Sequence, residues 1–183
     1  SKDVRNDFMK YVYRPSVNQQ YFLNLNGGGN KATYAFSAGY DKGTANLIGD
    51  EDRRITLRMN NTLKPVKKME LKVGVAYTNS SAHNNAIGGF SDGTYSIGSR
   101  NLYPYAQLAD EFGNAMEIAR KYRTGYTDTA GAGRLLDWKF RPLDETKTNN
   151  RTTGLKDLLI NSGLTYEIAP FLTVDVNYQY QNT

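Results

Sequence analysis

Leu172-Thr173-Val174-Asp175-Val176-Asn177-Tyr178-Gln179-Tyr180 carries an apolar side chain at every second position. Alternate residues of a strand point to opposite faces. Leu172, Val174, Val176, Tyr178 and Tyr180 therefore share one face, and Thr173, Asp175, Asn177 and Gln179 share the other. This is the signature of a sheet with one apolar and one hydrated surface, and five further segments repeat it.

Working back along the chain, Leu158, Ile160, Leu164, Tyr166 and Ile168 oppose Asp157, Asn161, Thr165 and Glu167, with Leu159 and Ser162 breaking the rule. Met69, Leu71, Val73, Val75 and Tyr77 oppose Glu70, Lys72, Gly74, Ala76 and Thr78. Ile55, Leu57 and Met59 oppose Arg54, Thr56, Arg58 and Asn60. Ala32, Tyr34, Phe36, Ala38 and Tyr40 form one more apolar set, and Tyr21, Leu23 and Leu25 the first. The pattern predicts strands near 17–26, 32–41, 53–63, 69–78, 155–168 and 171–181, and a long surface loop over about 79–153.

No position of the apolar faces is charged, although 22% of the chain is. The opposite face mixes Arg54, Arg58, Glu70, Lys72, Asp157, Glu167 and Asp175 with Asn, Thr and Gln, which suits a watery lumen or the outside of a soluble sandwich. A slip of one residue exchanges the two faces, so register is strongly specified.

Connection lengths separate those two cases. They run short (27–31), medium (42–52), short (64–68), very long (79–153) and short (169–170), with Gly27-Gly28-Gly29-Asn30 and Lys64-Pro65-Val66-Lys67-Lys68 as turns. Tight turns at one end and long loops at the other are the habit of outer-membrane barrels. Tyr40, Tyr77, Tyr178 and Tyr180 fall at the long-loop ends of their strands, where an aromatic girdle belongs. The expected fold is all-β: an antiparallel up-and-down transmembrane β-barrel segment of about six strands with one long extracellular loop, a partial barrel domain over 1–183.

Composition agrees. Apolar residues are only 39% of the 183, low for a soluble core of that size, and Tyr, which suits strands and water–membrane boundaries, occurs 14 times. No run of eighteen apolar residues exists, which removes a transmembrane helix but not a barrel strand of about 9–11 residues. The net charge of +5 is scattered, and its densest stretch, 53–72, alternates with apolar residues; nucleic acid is not an expected partner. There is no cysteine, hence no disulfide and no thiolate metal site. The start at Ser1 and the stop directly after a strand pattern suggest a piece of a longer chain.

Asn24-Leu25-Asn26-Gly27-Gly28 followed by Thr33-Tyr34-Ala35-Phe36-Ser37-Ala38-Gly39-Tyr40 resembles the barrel of SusC/RagA-type TonB-dependent outer-membrane transporters. So do Arg54-Ile55-Thr56-Leu57-Arg58-Met59-Asn60 with its following turn and strand, and Tyr103-Pro104-Tyr105-Ala106-Gln107-Leu108-Ala109-Asp110-Glu111, similar to a segment of a large surface loop in that family. The likeness covers most of the chain and is strongest over 18–78. It rests on strand and turn patterns, not on a catalytic signature.

The resemblance implies a plugged barrel of about 22 strands in the outer membrane of a Gram-negative bacterium, importing oligosaccharides or peptides with energy delivered by TonB. It also implies a SusD-type surface lipoprotein as lid. The plug and the TonB-contacting segment are not in this stretch, so transport belongs to the parent protein. The alternative reading is a soluble or surface-attached β-sandwich that binds carbohydrate; a third is a porin-like barrel without energised uptake.

Ligand contacts are expected in the long loop, from Tyr95, Arg100, Tyr103, Tyr105 and Trp138, with Phe90, Tyr122, Tyr126, Arg120 and Arg123 nearby in sequence. Aromatic faces stack on sugar rings and arginines grip carboxylates; packing of the loop on itself is the plainer role for any one of them. The residues expected to face a lumen are Arg54, Arg58, Glu70, Lys72, Asp157, Glu167 and Asp175. Over 106–122 a helix is possible, but Gly113-Asn114 favours a small hairpin turning at 111–114.

No catalytic residues, cofactor or metal are expected. His83 is the single histidine, so a triad or a histidine metal site cannot be assembled here. Asp50-Glu51-Asp52 reads as a solvated acidic turn, and Gly27-Gly28-Gly29-Asn30-Lys31 lacks the Gly-Lys-Ser/Thr ending of a P-loop.

Overall fold

A computed structural model describes residues 3–93, 95 and 102–183. The chain is mostly β: one antiparallel meander of six strands in the order β1-β2-β3-β4-β5-β6, open at both edges and not closed into a barrel. The strands are β1 (Val17–Gly29), β2 (Ala32–Thr44), β3 (Asp50–Val66), β4 (Met69–Asn84), β5 (Thr152–Ala169) and β6 (Leu172–Asn182). Outside the sheet lie α1 (Val4–Tyr11), α2 (Thr124–Thr129), a 3₁₀ turn (Ala130–Gly133) and α3 (Pro142–Thr148). Among the described residues no helix is long and apolar enough to cross a membrane.

The strands outrun the sequence pattern. Alternation reports which side chains are apolar, whereas the ladder is made by backbone groups and continues through polar residues such as 50–53 and 79–84. The 42–52 connection thus shrinks to 45–49, and the 79–153 loop to 85–151. The tight turns are two residues each: Asn30-Lys31, Lys67-Lys68 and Pro170-Phe171. Gly27, Gly28 and Gly29 therefore belong to β1 and not to the turn. Gly27 is small because the Tyr34 ring lies across it: a Cβ there would sit 2.6 Å from the hydroxyl. Gly28 has φ +149°, open to glycine alone at little strain.

The β5–β6 register pairs Ile160 with Tyr180, Leu164 with Val176 and Tyr166 with Val174 on the apolar face, and Thr165 with Asp175 on the other. Leu159 and Ser162 sit opposite Gln181 and Tyr178, the two exceptions to the alternation. A bulge separates Glu167 from Ala169 just before the turn.

Two units divide the chain. One comprises 18–43, 52–82 and 153–183; the other 1–17, 44–51 and 83–152. In the first, the sheet unit, no described residue except Gly43 is buried. Its apolar face is open: Tyr21, Leu23, Leu25, Leu57, Val174, Val176 and Tyr178 are all exposed.

The second unit holds the buried apolar cluster: Val4, Phe8, Val12, Tyr95, Leu102, Ala106, Leu108 and Ile118. The expectations drawn from the sequence assign nothing to 1–16, yet Val4, Phe8 and Val12 recur at i, i+4 and i+8, the spacing of one helical face. Asp3 caps α1 by accepting from the Arg5 N–H at 2.9 Å. The Phe8 ring meets Tyr95 edge-on at 4.8 Å and Phe90 at 5.3 Å. Two hydrogen bonds tie α1 to the long connection: the Val4 N–H donates to the Pro104 carbonyl and the Leu108 N–H to the Asp7 carboxylate, both 2.9 Å.

Candidate functional site

Within the sheet unit, most residues expected to face a lumen have side-chain partners on neighbouring strands. Arg54 pairs with Asp41 at 2.8 Å, and Glu70 receives both Lys64 and Lys72 at 3.0 Å. Asp175 accepts from Thr165 at 2.6 Å, and Asp157 accepts from Gln181 and Thr183. Arg58 is exposed, and the Glu167 N–H donates to the Lys68 carbonyl beside the turns.

Amid these charges lies a shallow depression of about 590 Å³ lined by Asn60, Lys72, Gly74, Asn161, Gly163 and Asn177, among others. A Cβ on Gly74 would come within 2.9 Å of the Asn60 amide oxygen, and one on Gly163 within 2.7 Å of that of Asn177. The glycines leave room for asparagine side chains to lean across the face. No single segment of sequence announces this floor, because four strands contribute three residues each.

In the loop unit the candidate ligand residues separate. Tyr95 is a core residue, 1% exposed, with its hydroxyl donating to the Gly88 carbonyl and its acidity suppressed by burial. Its ring packs against Phe8 and Phe140, so no face is free to stack on a ligand. Arg100 lies outside the described residues. Tyr103 and Tyr105 are exposed on the segment that α1 holds through Pro104.

Trp138 is different. Its ring, with those of Tyr122 and Tyr126, forms a triad with centroids 5.2–6.1 Å apart. All three rings remain more than two-fifths exposed. Tyr126 lies in α2, and the Trp138 Nε1–H donates to the Thr127 carbonyl at 3.3 Å.

A charged network braces this triad from below. Thr127 donates to the Glu117 carboxylate at 2.9 Å, and Lys139 binds the carboxylates of Asp128 and Glu117. Asp128 first, then Glu117, hold the Lys139 ammonium charged above the ordinary lysine range. Arg141 pairs with Asp137 at 2.8 Å and holds that carboxyl below the usual carboxylate range.

Beside the rings is a cleft of about 600 Å³ whose walls include Arg120, Lys121, Tyr122, Trp138, Phe140 and Glu145. The Arg120 guanidinium stacks over the Phe140 ring at 4.7 Å. Sequence reasoning names the three rings as separate loop aromatics, but their convergence depends on α2 and on the Lys139 network.

The small hairpin forms as expected and no helix spans 106–122. Ala109 bridges Ala115, Gly113 takes φ +87°, and Asp110 accepts from the Phe112 and Asn114 amides, leaving Phe112 90% exposed at the tip. His83 contacts Thr152 through Nδ1 at 3.0 Å. Among the described residues no group of three or more His, Cys, Asp or Glu is placed to hold a metal ion. A scan of protein-family models finds no match to this chain, and a comparison with curated proteins finds none either.

Proposed function

We propose that this chain is part of the wall of an outer-membrane β-barrel, in a TonB-dependent transporter of the SusC/RagA type importing oligosaccharides or peptides in a Gram-negative bacterium. The observation that carries the reading is the open apolar face: six register-specified strands present Leu, Val, Ile and Tyr outward with no second layer in the described residues. In water such a face is a large exposed apolar patch, which soluble monomers avoid. In lipid it is the expected outer surface of a barrel.

Further features point the same way. The edge strands β1 and β6, of 13 and 11 residues, leave backbone groups unpaired, at several kcal/mol each in hydrocarbon, so they call for neighbouring strands of a larger barrel. Tyr21 stacks on Tyr40 at 6.3 Å on the lipid-facing side, as in an aromatic girdle. The mixed charges of the opposite face then line the water-filled interior, and the loop unit lies outside the cell, where a SusD-type lid lipoprotein docks. TonB contacts and the plug belong to the rest of the parent. The sandwich alternative needs a second sheet over the apolar face, and the described residues form one sheet only.

The test is fractionation of the full reading frame expressed in a Gram-negative host. Recovery in the outer membrane, extraction only by detergent and heat-modifiable electrophoretic mobility are expected, with uptake of cargo abolished by deleting TonB. Recovery as a monodisperse, detergent-free soluble protein would remove the reading.

A further inference from the structure

We infer that the cleft beside Trp138 is a binding site for an acidic sugar, a pyranose ring that carries a carboxylate. As a cargo class it rests on the importer proposed above, while every residue of the cleft belongs to the loop unit. Two half-exposed rings, Tyr122 and Trp138, inclined 43° to one another, form its aromatic wall, and the Tyr126 ring packs against both. A ligand on that wall keeps its other side in water, which describes a sugar: C–H groups against the rings and hydroxyls toward solvent. An apolar peptide side chain would call for an enclosed slot instead. The volume, about 600 Å³, accommodates one or two sugar rings.

Charge selects the carboxylate. Of the ionised groups lining the cleft, Glu117 is matched by Lys139 and Asp137 by Arg141, which leaves Arg120 and Lys121 against Glu145, an excess of one positive charge. Arg120 and Lys121 have no carboxylate partner among the described residues. The Arg120 guanidinium carbon lies 4.7 Å from the Phe140 centroid, and its N–H groups, with no hydrogen-bond partner among the described residues, suit a planar, two-pronged acceptor. Lys121 sits 5.6 Å from the Tyr122 centroid, at the same wall. Glu145, also at the cleft, is an acceptor for ring hydroxyls.

The full-length protein, purified in detergent, is titrated by calorimetry with trigalacturonate and with its methyl ester. A saturable change with the acid and roughly tenfold weaker binding of the ester are expected, the ratio coming from loss of a charged hydrogen-bond pair. Arg120→Gln is expected to bring the affinity for the acid down to that for the ester, and Tyr122→Leu to weaken both ligands while keeping their ratio. Equal affinity for acid and ester, no response to either, or saturation only by a carboxylate-ending peptide would each overturn the inference. Fractionation bears only on the barrel and this titration only on the cleft, so the two readings can fail separately.

Discussion

Leu108 and Leu25 carry the same side chain to opposite ends: the first is 0% exposed, the second 52%. Leu108 belongs to the loop unit, where α1 and parts of a long connection close over one another. Leu25 belongs to the sheet unit, where six strands pair and cover nothing. Burying a leucine is worth about 1.5–3 kcal/mol wherever water is excluded, so the loop unit draws stability from its own chain while the sheet must draw it from outside. A layer that leaves its apolar side uncovered is half of a solvent interface, and its other half has to be lipid or protein.

The sharpest way to break this comparison is to remove the second half of the interface. In buffer without detergent or lipid, the β signal is expected to be lost or to pass into aggregates, while the near-ultraviolet signal of the core around Phe8 and Tyr95 persists. Circular dichroism across a detergent titration measures both. If both signals disappear together, the contrast between a self-covered and a lipid-covered unit fails.

A pair of substitutions sharpens the contrast next. Phe8→Ala should destabilise the loop unit by about 3–5 kcal/mol, the usual cost of emptying a buried aromatic site, read by urea unfolding followed at Tyr95 and Phe90. Leu57→Arg in the sheet should cost about 2–4 kcal/mol in lipid vesicles if Leu57 lies near mid-membrane. Thr56→Arg, one residue away on the other face, should cost little. Equal penalties at 56 and 57 would show that neither face meets lipid.

Glycine positions give a smaller effect. Gly163→Leu must displace Asn177, whose amide oxygen would lie 2.7 Å from the new Cβ; overpacking of this kind costs about 1–3 kcal/mol. Gly154→Leu, with only the Ser80 carbonyl at 3.8 Å, is the matched control and should be nearly silent. Folding equilibria of the two variants in lipid decide it.

The smallest effect is local and depends on pH. Asn114 chiefly, then the Phe112 and Gly113 amides, hold the Asp110 carboxyl below the ordinary aspartate range. A carboxyl lowered by folding stabilises its hairpin fully above its unfolded pKa and loses that contribution as pH falls through the lowered value. The protection factors of the Phe112 and Asn114 amides, their exchange rates divided into the unstructured rate at the same pH, should fall below about pH 4, and Asp110→Asn should remove the dependence. Protection factors unchanged from pH 6 to pH 2.5 would show that the carboxylate does not hold this turn.

Much of this was legible in the residues. Alternation at Leu172–Tyr180 and its repeats located six strands and assigned their faces, because a period of two is written directly into side-chain order. Even the exceptions at Leu159 and Ser162 kept their places in the register. The glycine run at 27–29 misled, since glycine signals a turn and equally a place where an aromatic ring crosses a strand, as Tyr34 does. The helix at 4–11 was legible from Val4, Phe8 and Val12 but short enough to be passed over.

The ligand candidates divided along the same line. Exposed rings and buried rings look alike in a sequence, so Tyr95 and Trp138 were indistinguishable until Phe8 and Phe140 closed around one and not the other.

Side-chain order alone set the six strands and their two faces, because these follow from near neighbours, whereas the turns expected over 27–31 and 64–68 narrow to Asn30-Lys31 and Lys67-Lys68 once the backbone pairs. Long-range packing settled that the sheet stays uncovered, that the buried apolar cluster belongs to the other unit, and that Tyr122, Tyr126 and Trp138 meet as a triad. Those outcomes join residues far apart in the chain, and their proximity is settled by packing and charge pairing across the whole fold, not by any local pattern.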